Sequence, residues 1–180
     1  MRSPNTIRAS SAEIGAAFAQ WLERMRAARV QLVVLEGMLD AGKTDLTRGH
    51  PFAVEADRFV RRTVAPETPY PEAVDQRALR SAIMRALDAL PLIVVEGPMV
   101  WPLLRPLPVE RLRVRRVYLK RMMHRQPDVW QDERAIASQD LWPRRAFTRS
   151  IVRYHHDERP WHAADLVLER IEPGEEGGHA

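Results

Sequence analysis

An apolar run that ends in a glycine-rich loop constrains the fold of this chain more than any other feature. The run covers Gln31 to Glu36 (QLVVLE), and the loop that follows reads GMLDAGKT over residues 37–44. A short run of Val and Leu is typical of a strand that is buried on both faces of a parallel sheet. The loop matches the pattern G-x-x-x-x-G-K-[ST], whose backbone N–H groups cradle phosphate oxygens between a strand and a helix. The segment therefore predicts a buried strand, a phosphate-binding loop and a helix, in that order.

The fixed positions of the loop have chemical reasons. Lys43 and Lys120 are the only lysines among the 28 Lys and Arg residues. An ammonium is compact where a guanidinium is forked, so we expect Lys43 to bind the β- and γ-phosphates of a nucleotide such as ATP. The hydroxyl of Thr44 is expected to bind Mg²⁺. The residues predicted to surround the phosphates are Gly37, Met38, Leu39, Asp40, Ala41, Gly42, Lys43 and Thr44.

Strand-like and helix-like segments alternate along the rest of the chain. Ser10 and Glu13 form a capping box, and apolar spacing predicts a helix over residues 10–29, before the first strand of the sheet. Further strands are predicted at 52–56, 92–96, 114–119 and 164–170, and helices at 77–90 and over most of 131–156, with a break near Pro143. This alternation indicates one α/β domain whose parallel sheet is flanked by helices. With the loop at 37–44, it predicts the three-layer fold of P-loop NTPases, with an Arg-rich helical lid at about 121–145 and a flexible tail at 173–180.

Composition excludes several classes of protein. The 180 residues include no cysteine, which excludes disulfide scaffolds and thiolate metal sites. No apolar run is long enough to cross a bilayer, and the N-terminus lacks the apolar stretch of a signal peptide, so we expect no membrane partner and a cytoplasmic location. The net charge is +4 and almost all of the basic residues are arginine. This excess fits either a general preference for arginine or a surface that meets phosphates.

Acidic residues stand near the predicted strand ends. Asp57 follows the second predicted strand, Glu96 ends the third, and Asp40 lies inside the loop. Ligands of doubly wound sheets bind at the carboxyl ends of the strands, so we expect Asp57 and Glu96 to face the phosphates. A carboxylate there can ligate Mg²⁺ or accept the proton of an attacking hydroxyl. The alternative is a structural role, as a helix cap or surface acid for Glu96 and as an ordinary loop residue for Asp57.

The order of these parts resembles the uridine kinase-like branch of P-loop kinases, which also contains phosphoribulokinase and pantothenate kinase. EADRF (residues 55–59) is similar to the family's D-x-F segment, which implies that Asp57 is the base for the acceptor hydroxyl. YPEAVD (70–75) is similar to a family segment whose final acid contacts a sugar, which implies acceptor contacts for Tyr70 and Asp75. VVEGPMVW (94–101) resembles a family strand end and implies that Glu96 lies near the metal. WHAADLVLE (161–169) resembles the closing strand of the family.

The chain departs from the family pattern on the acceptor side. The segment between Thr44 and Asp57 is shorter than in the family, and the loop at 37–44 lacks the usual small polar residues. The lid motif of uridine kinases is not matched. Trp101 lies just beyond Glu96, where an acceptor could stack, and it is therefore a candidate substrate contact.

A lid that closes over ATP needs a few arginines to neutralise the charge that develops during phosphoryl transfer. Arg121 and Arg125 directly follow a predicted strand and are expected to act in catalysis. Arg134 comes next and is expected to contact the substrate.

These patterns predict an ATP-dependent phosphotransferase that moves the γ-phosphate to a hydroxyl of a small molecule such as a nucleoside. Two alternatives stay open. One is a polynucleotide or nucleotide-sugar kinase, favoured by the Arg-rich C-terminal half, which makes nucleic acid a second candidate partner. The other is a nucleotide-binding switch that phosphorylates nothing.

Overall fold

The computed structural model describes residues 4–171 as an α/β fold. The strands are β1 Asn5–Ser10, β2 Leu32–Gly37, β3 Ala53–Glu55, β4 Ile93–Gly97, β5 Val114–Met123, β6 Gln126–Trp130 and β7 Leu166–Ile171. The helices are α1 Ser11–Ala27, α2 Lys43–Thr47, α3 Tyr70–Ala73, α4 Gln76–Ala89, α5 Val100–Leu104, α6 Glu133–Ala137 and α7 Ala146–Glu158. Short 3₁₀ turns cover Ala56–Phe59, Val109–Arg111, Gln139–Leu141 and Pro160–His162. The tail predicted at 173–180 lies outside the described residues.

The sheet is mostly parallel. Six strands lie side by side in the order β1-β7-β5-β2-β4-β3, and every neighbouring pair in that order is parallel. Strand β6 pairs antiparallel with the end of β5. The predicted α/β class with a parallel central sheet is therefore confirmed.

Helices cover both faces of the sheet, which explains the doubly buried strand patterns. In β2, Val33 and Leu35 pack with α1 and with Leu46 of α2, and we call this side the α1 face. Leu32 and Val34 pack on the other side, the α7 face, together with residues of α4, α5 and α7. All six residues of β2 are buried. Within residues 4–171, no helix has both the length and the apolar character that crossing a bilayer requires.

The chain changes faces at the centre of the sheet. After β2 it enters α2, whose Leu46 belongs to the α1-face core. After β4 it enters α5, whose Val100, Leu103 and Leu104 belong to the α7-face core. Because β2 and β4 are neighbours, their connections separate and leave a crevice at their carboxyl ends. Such a switch point is where open α/β sheets bind ligands.

Most predicted elements are present within a few residues of their predicted bounds. The capping box is confirmed: Glu13 N–H donates to Ser10 Oγ, and the Glu13 carboxylate accepts from Ser10 N–H. The prediction that this helix precedes the first strand is wrong, because β1 comes before it and pairs with β7 at the edge of the sheet. The helical prediction for 131–156 is confirmed at α6 and α7, with the break around Pro143.

The helical lid predicted at about 121–145 is wrong in its first half. Strand β5 continues to Met123, turns, and returns as β6. The backbone stays extended there because β7 pairs with β5 as far as Met122, beyond the end of β2. Only α6 and a 3₁₀ turn are helical in the remainder of this segment.

Candidate functional site

The segment 37–44 forms a tight loop at the carboxyl end of β2, and both of its glycines are required by the backbone. A Cβ on Gly37 would lie 2.6 Å from the carbonyl oxygen of Leu119 on the neighbouring strand. Gly42 has φ +86°, a left-handed conformation that side chains disfavour. Asp40 is also left-handed, with φ 58°, and Asp is among the few residues that tolerate this region. The loop thus reverses the chain between β2 and α2.

Lys43 is buried at the centre of this loop. Its side chain turns back into the loop, where Nζ donates to the carbonyl oxygens of Gly37 at 3.1 Å and Met38 at 2.8 Å. Burial lowers the pKa of Lys43, and the nearby charges of Glu96, Asp57 and Asp40 act in the opposite direction. Because α2 has only five residues, its dipole is small, and Lys43 adds a positive charge inside the loop.

Thr44 and Glu96 meet across the two central strands. The Thr44 hydroxyl donates to Glu96 Oε1 at 2.8 Å. Glu96 is buried near the end of β4, and burial raises the pKa of its carboxyl, while the Thr44 hydrogen bond and the charge of Lys43 act against this rise. The two residues that were expected near the metal therefore lie in contact with each other.

Asp57 lies in the same cleft as the loop. The cleft has a volume of about 340 Å³ and is lined by Leu39, Asp40, Gly42, Lys43, Thr44, Asp45 and Asp57. Asp57 stands in the 3₁₀ turn that directly follows β3. One of its oxygens, Oδ1, accepts a hydrogen bond of 2.6 Å from the Tyr70 hydroxyl. Three strands, β2, β3 and β4, therefore direct Lys43, Asp57 and Glu96 to one edge of the sheet.

Tyr70 holds Asp57 from the protein interior. Its side chain is fully buried, and its backbone N–H donates to Ser150 Oγ at 2.9 Å, which ties α3 to α7. Burial and the negative charge of Asp57 raise the pKa of Tyr70 well above the ordinary tyrosine value, so its hydroxyl remains a donor. Tyr70 thus orients the carboxylate of Asp57.

The three predicted arginines have different positions. Arg121 lies in β5 beside the loop and forms a two-pronged ion pair with Asp132, with Nη2–Oδ1 at 2.5 Å and Nε–Oδ2 at 3.4 Å. Its positive charge contributes to the lowered pKa of Lys43. Arg125 is exposed in the turn between β5 and β6, and Arg134 is exposed in α6. The structure brings Arg121 toward the cleft but leaves Arg125 and Arg134 on the surface.

Asp75 and Trp101 lie outside the residues that line the cleft. Asp75 caps α4, where Oδ1 accepts from Ala78 N–H at 3.0 Å. Trp101 stacks under the Arg116 guanidinium at 4.6 Å and lines a separate groove beside the start of β5. The acceptor contacts predicted for these two residues therefore have no support in this geometry, because a capping role and a packing role account for them.

Glu36 is a buried carboxylate that the sequence reasoning did not single out. Oε1 accepts from the backbone N–H of Trp101 and from the Tyr154 hydroxyl, both at 2.9 Å, and Oε2 lies 3.3 Å from Arg116 Nη2. Burial raises the pKa of Glu36 despite these donors. The signal for such a network is a charged residue inside a run that is otherwise apolar and doubly buried. Glu36 anchors α5 and α7 to β2 directly before the loop.

Asp132 is the other missed residue of the site. It is buried and fixes the guanidinium of Arg121. A single sequence carries no signal for this pair, since it depends on the hairpin that returns residue 132 to the end of β5.

Thr44 and Glu96 offer oxygen donors of the kind that bind Mg²⁺. Within residues 4–171, no group of three or more His, Asp or Glu forms a ready metal centre. Mg²⁺ in nucleotide sites is commonly held by one or two protein oxygens together with phosphate oxygens and water. The Thr44 hydroxyl and the Glu96 carboxylate are suited to that task.

Comparison of the chain with protein-family models, curated proteins and solved structures finds no match.

Proposed function

We propose that this protein is a Mg²⁺- and ATP-dependent phosphotransferase that acts on a hydroxyl group of a small molecule. The observation that carries the proposal is the convergence of Lys43, the Thr44–Glu96 pair and Asp57 at the carboxyl edge of three neighbouring strands. A phosphate-binding loop alone supports only nucleotide binding. The addition of an oriented carboxylate, Asp57, in the same cleft supports transfer to an acceptor.

On the donor side, ATP with its magnesium ion supplies the transferable γ-phosphate. Lys43 exchanges its two carbonyl contacts, at 2.8 and 3.1 Å, for oxygens of the β- and γ-phosphates. The partners nearest its ammonium then become anions, which favours its charged form. Thr44 would hold the metal through its hydroxyl oxygen, and Glu96 would hold it through its hydrogen bond to that hydroxyl or through water.

On the acceptor side, Asp57 takes the proton of the attacking hydroxyl. The oxygen of that hydroxyl forms the new bond to the γ-phosphorus, and the bond from that phosphorus to the β-phosphate oxygen breaks, leaving ADP. Lys43 and Arg121 neutralise the charge that spreads over the phosphate oxygens during transfer. Tyr70 keeps the receiving oxygens of Asp57 in place through its 2.6 Å hydrogen bond.

The first test is calorimetric titration with a non-hydrolysable ATP analogue and Mg²⁺. Lys43→Ala removes a direct phosphate contact and should weaken binding by about tenfold to a hundredfold, as expected for hydrogen bonds to charged groups. Lys120→Ala is the matched control, because Lys120 is the only other lysine and packs over the Trp130 ring at 4.8 Å instead. It should bind like the wild type. Equal affinity in wild type and Lys43→Ala, or no binding by the wild type, rejects the donor site.

The second test is ATP consumption with a panel of small hydroxyl compounds and a short oligonucleotide. Transfer to one of the small compounds supports the proposal. Transfer to the oligonucleotide would assign a polynucleotide kinase instead. Tight nucleotide binding with no consumption above the acceptor-free rate across the panel would favour a nucleotide-dependent switch.

A further inference from the structure

The last strand places an arginine against the glycine that precedes Lys43. Arg170 belongs to β7, two strands away from β2. Its guanidinium occupies the space beside Gly42, where an added Cβ would lie 1.7 Å from Nη1 and 2.5 Å from Cζ. The side chain is only 12% exposed, and Nη1 is 3.8 Å from Asp45 Oδ2. Gly42 and Asp45 both line the cleft that contains Lys43.

Strand register brings a second cation to the same level. Arg170 is the partner of Arg121 in the parallel pairing of β7 with β5. Leu166 and Leu168 of β7, and Val117 and Leu119 of β5, all belong to the α1-face core. Because side chains alternate along a strand, Arg170 and Arg121 leave their strands toward that same face.

Two like charges on paired residues of neighbouring strands repel each other. Arg121 acts on the ammonium of Lys43, whose pKa it helps to lower, and Arg170 lies against Gly42, the residue directly before Lys43. Asp132 forms an ion pair with Arg121, and Asp45 Oδ2 lies 3.8 Å from Arg170 Nη1. Such a concentration of cations beside the loop is stabilised by a bound polyanion.

We propose that Arg170 binds the polyphosphate chain of the donor nucleotide, on the side of the loop that faces β7. This assignment rests on the proposed function, and it adds a cation from the C-terminal end of the described chain to the site. A guanidinium presents two parallel N–H groups that match a pair of phosphate oxygens. Its contact with Gly42 places that fork beside the backbone that cradles the phosphates.

The test compares Mg²⁺–tripolyphosphate, which carries no nucleoside, with the Mg²⁺ complex of the ATP analogue. Arg170→Gln should weaken calorimetric binding of both probes to a similar degree, by about tenfold or more, as expected for loss of a charge-assisted pair. The matched control is Arg48→Gln. Arg48 pairs with the same Asp45 at 2.8 Å but is 77% exposed, so its loss should change either affinity by less than about twofold.

Arg170→Lys is the second variant, and it keeps the positive charge. It is used if circular dichroism shows that Arg170→Gln does not fold. It loses the fork and should bind both probes several-fold more weakly than the wild type. Wild-type affinity in the variant that folds overturns the inference. Weaker binding of the ATP analogue with unchanged binding of tripolyphosphate also overturns it, because the contact would then be to the nucleoside.

Failure of this inference can be told apart from failure of the proposed function. If Lys43→Ala loses both probes while Arg170→Gln and Arg170→Lys keep them, only the assignment of Arg170 is wrong. If the wild type binds neither probe, the donor site itself is wrong and both proposals fall.

Discussion

Replacing Thr44 by Val tests the hydrogen bond between the loop and β4, and the test requires no ligand. The change keeps the shape of the side chain and removes its hydroxyl, which donates to Glu96 Oε1 at 2.8 Å. Glu96 is only 2% exposed, so water cannot readily replace the lost donor. The variant therefore leaves a buried carboxylate with weaker support for its charge.

A hydrogen bond to a charged group contributes about 1.5–3 kcal/mol. The free energy of unfolding should fall by about that amount at pH 8, which corresponds to a decrease of roughly 3–12 °C in Tm for a chain of this size. Burial already raises the pKa of Glu96, and the Thr44 hydrogen bond lowers it, so the variant raises that pKa further. A raised carboxyl pKa means that the folded state holds the proton more tightly, and stability falls as pH rises through that pKa. The difference between variant and wild type should therefore grow from pH 5 to pH 8.

Urea unfolding at pH 5 and pH 8 measures both effects. The matched control is Thr47→Val in the same helix, because Thr47 is also buried but donates only to the helix carbonyls of Lys43 and Thr44, each at 3.3 Å. Its cost should be smaller and independent of pH. Equal costs for the two variants, or a Thr44→Val cost that is the same at both pH values, would refute the reasoning.

Two further outcomes are expected. Asp57→Asn keeps an Oδ1 atom to accept from Tyr70 and should leave nucleotide affinity nearly unchanged, while acceptor phosphorylation falls by about 10²–10⁴ because the base is lost; near-normal turnover would reject the base assignment, and loss of Mg²⁺-dependent binding would make Asp57 a metal ligand. Burial lowers the pKa of His155 to about 4 from 6.5, so the folded state resists its protonation and stability should fall by up to about 3 kcal/mol as pH drops from 6.5 to 4. His155→Phe should flatten this acid limb in urea unfolding, and an unchanged slope would show that other groups cause it.

The central strands were predictable because their own apolar side chains indicate strands that are buried on both faces. A strand such as Leu32 to Leu35 has apolar side chains on both faces, so both faces must be buried. Helices on both sides of the sheet provide that burial. The loop at 37–44 was predictable for a related reason, since Gly37 and Gly42 stand where a Cβ would collide or be strained. Local sequence therefore predicts the central strands and the loop that lines the cleft.

The features that the sequence did not predict depend on contacts between residues that are far apart in the chain. The segment NTIRAS becomes β1 only because β7, more than 150 residues later, offers it an edge. The lid predicted at about 121–145 assigned helix to the β5–β6 hairpin, whereas pairing of β5 with β7 keeps that backbone extended. Asp75 has the residue type of a ligand contact and of a helix cap, and the hydrogen bond from Ala78 N–H to its Oδ1 shows the capping role.

The Thr44–Glu96 hydrogen bond also bears on how a metal would be held. A hydroxyl that donates its proton to a carboxylate keeps both lone pairs of its oxygen. With its O–H directed at Glu96, Thr44 can ligate Mg²⁺ through a lone pair without breaking the 2.8 Å bond. The negative charge of Glu96 then increases the electron density on the ligating oxygen, as second-sphere carboxylates do for other metal ligands. A positive ion nearby in turn favours the ionised form of this buried carboxylate, whose pKa burial alone raises. Under the proposed function, the hydrogen bond and the metal therefore reinforce each other.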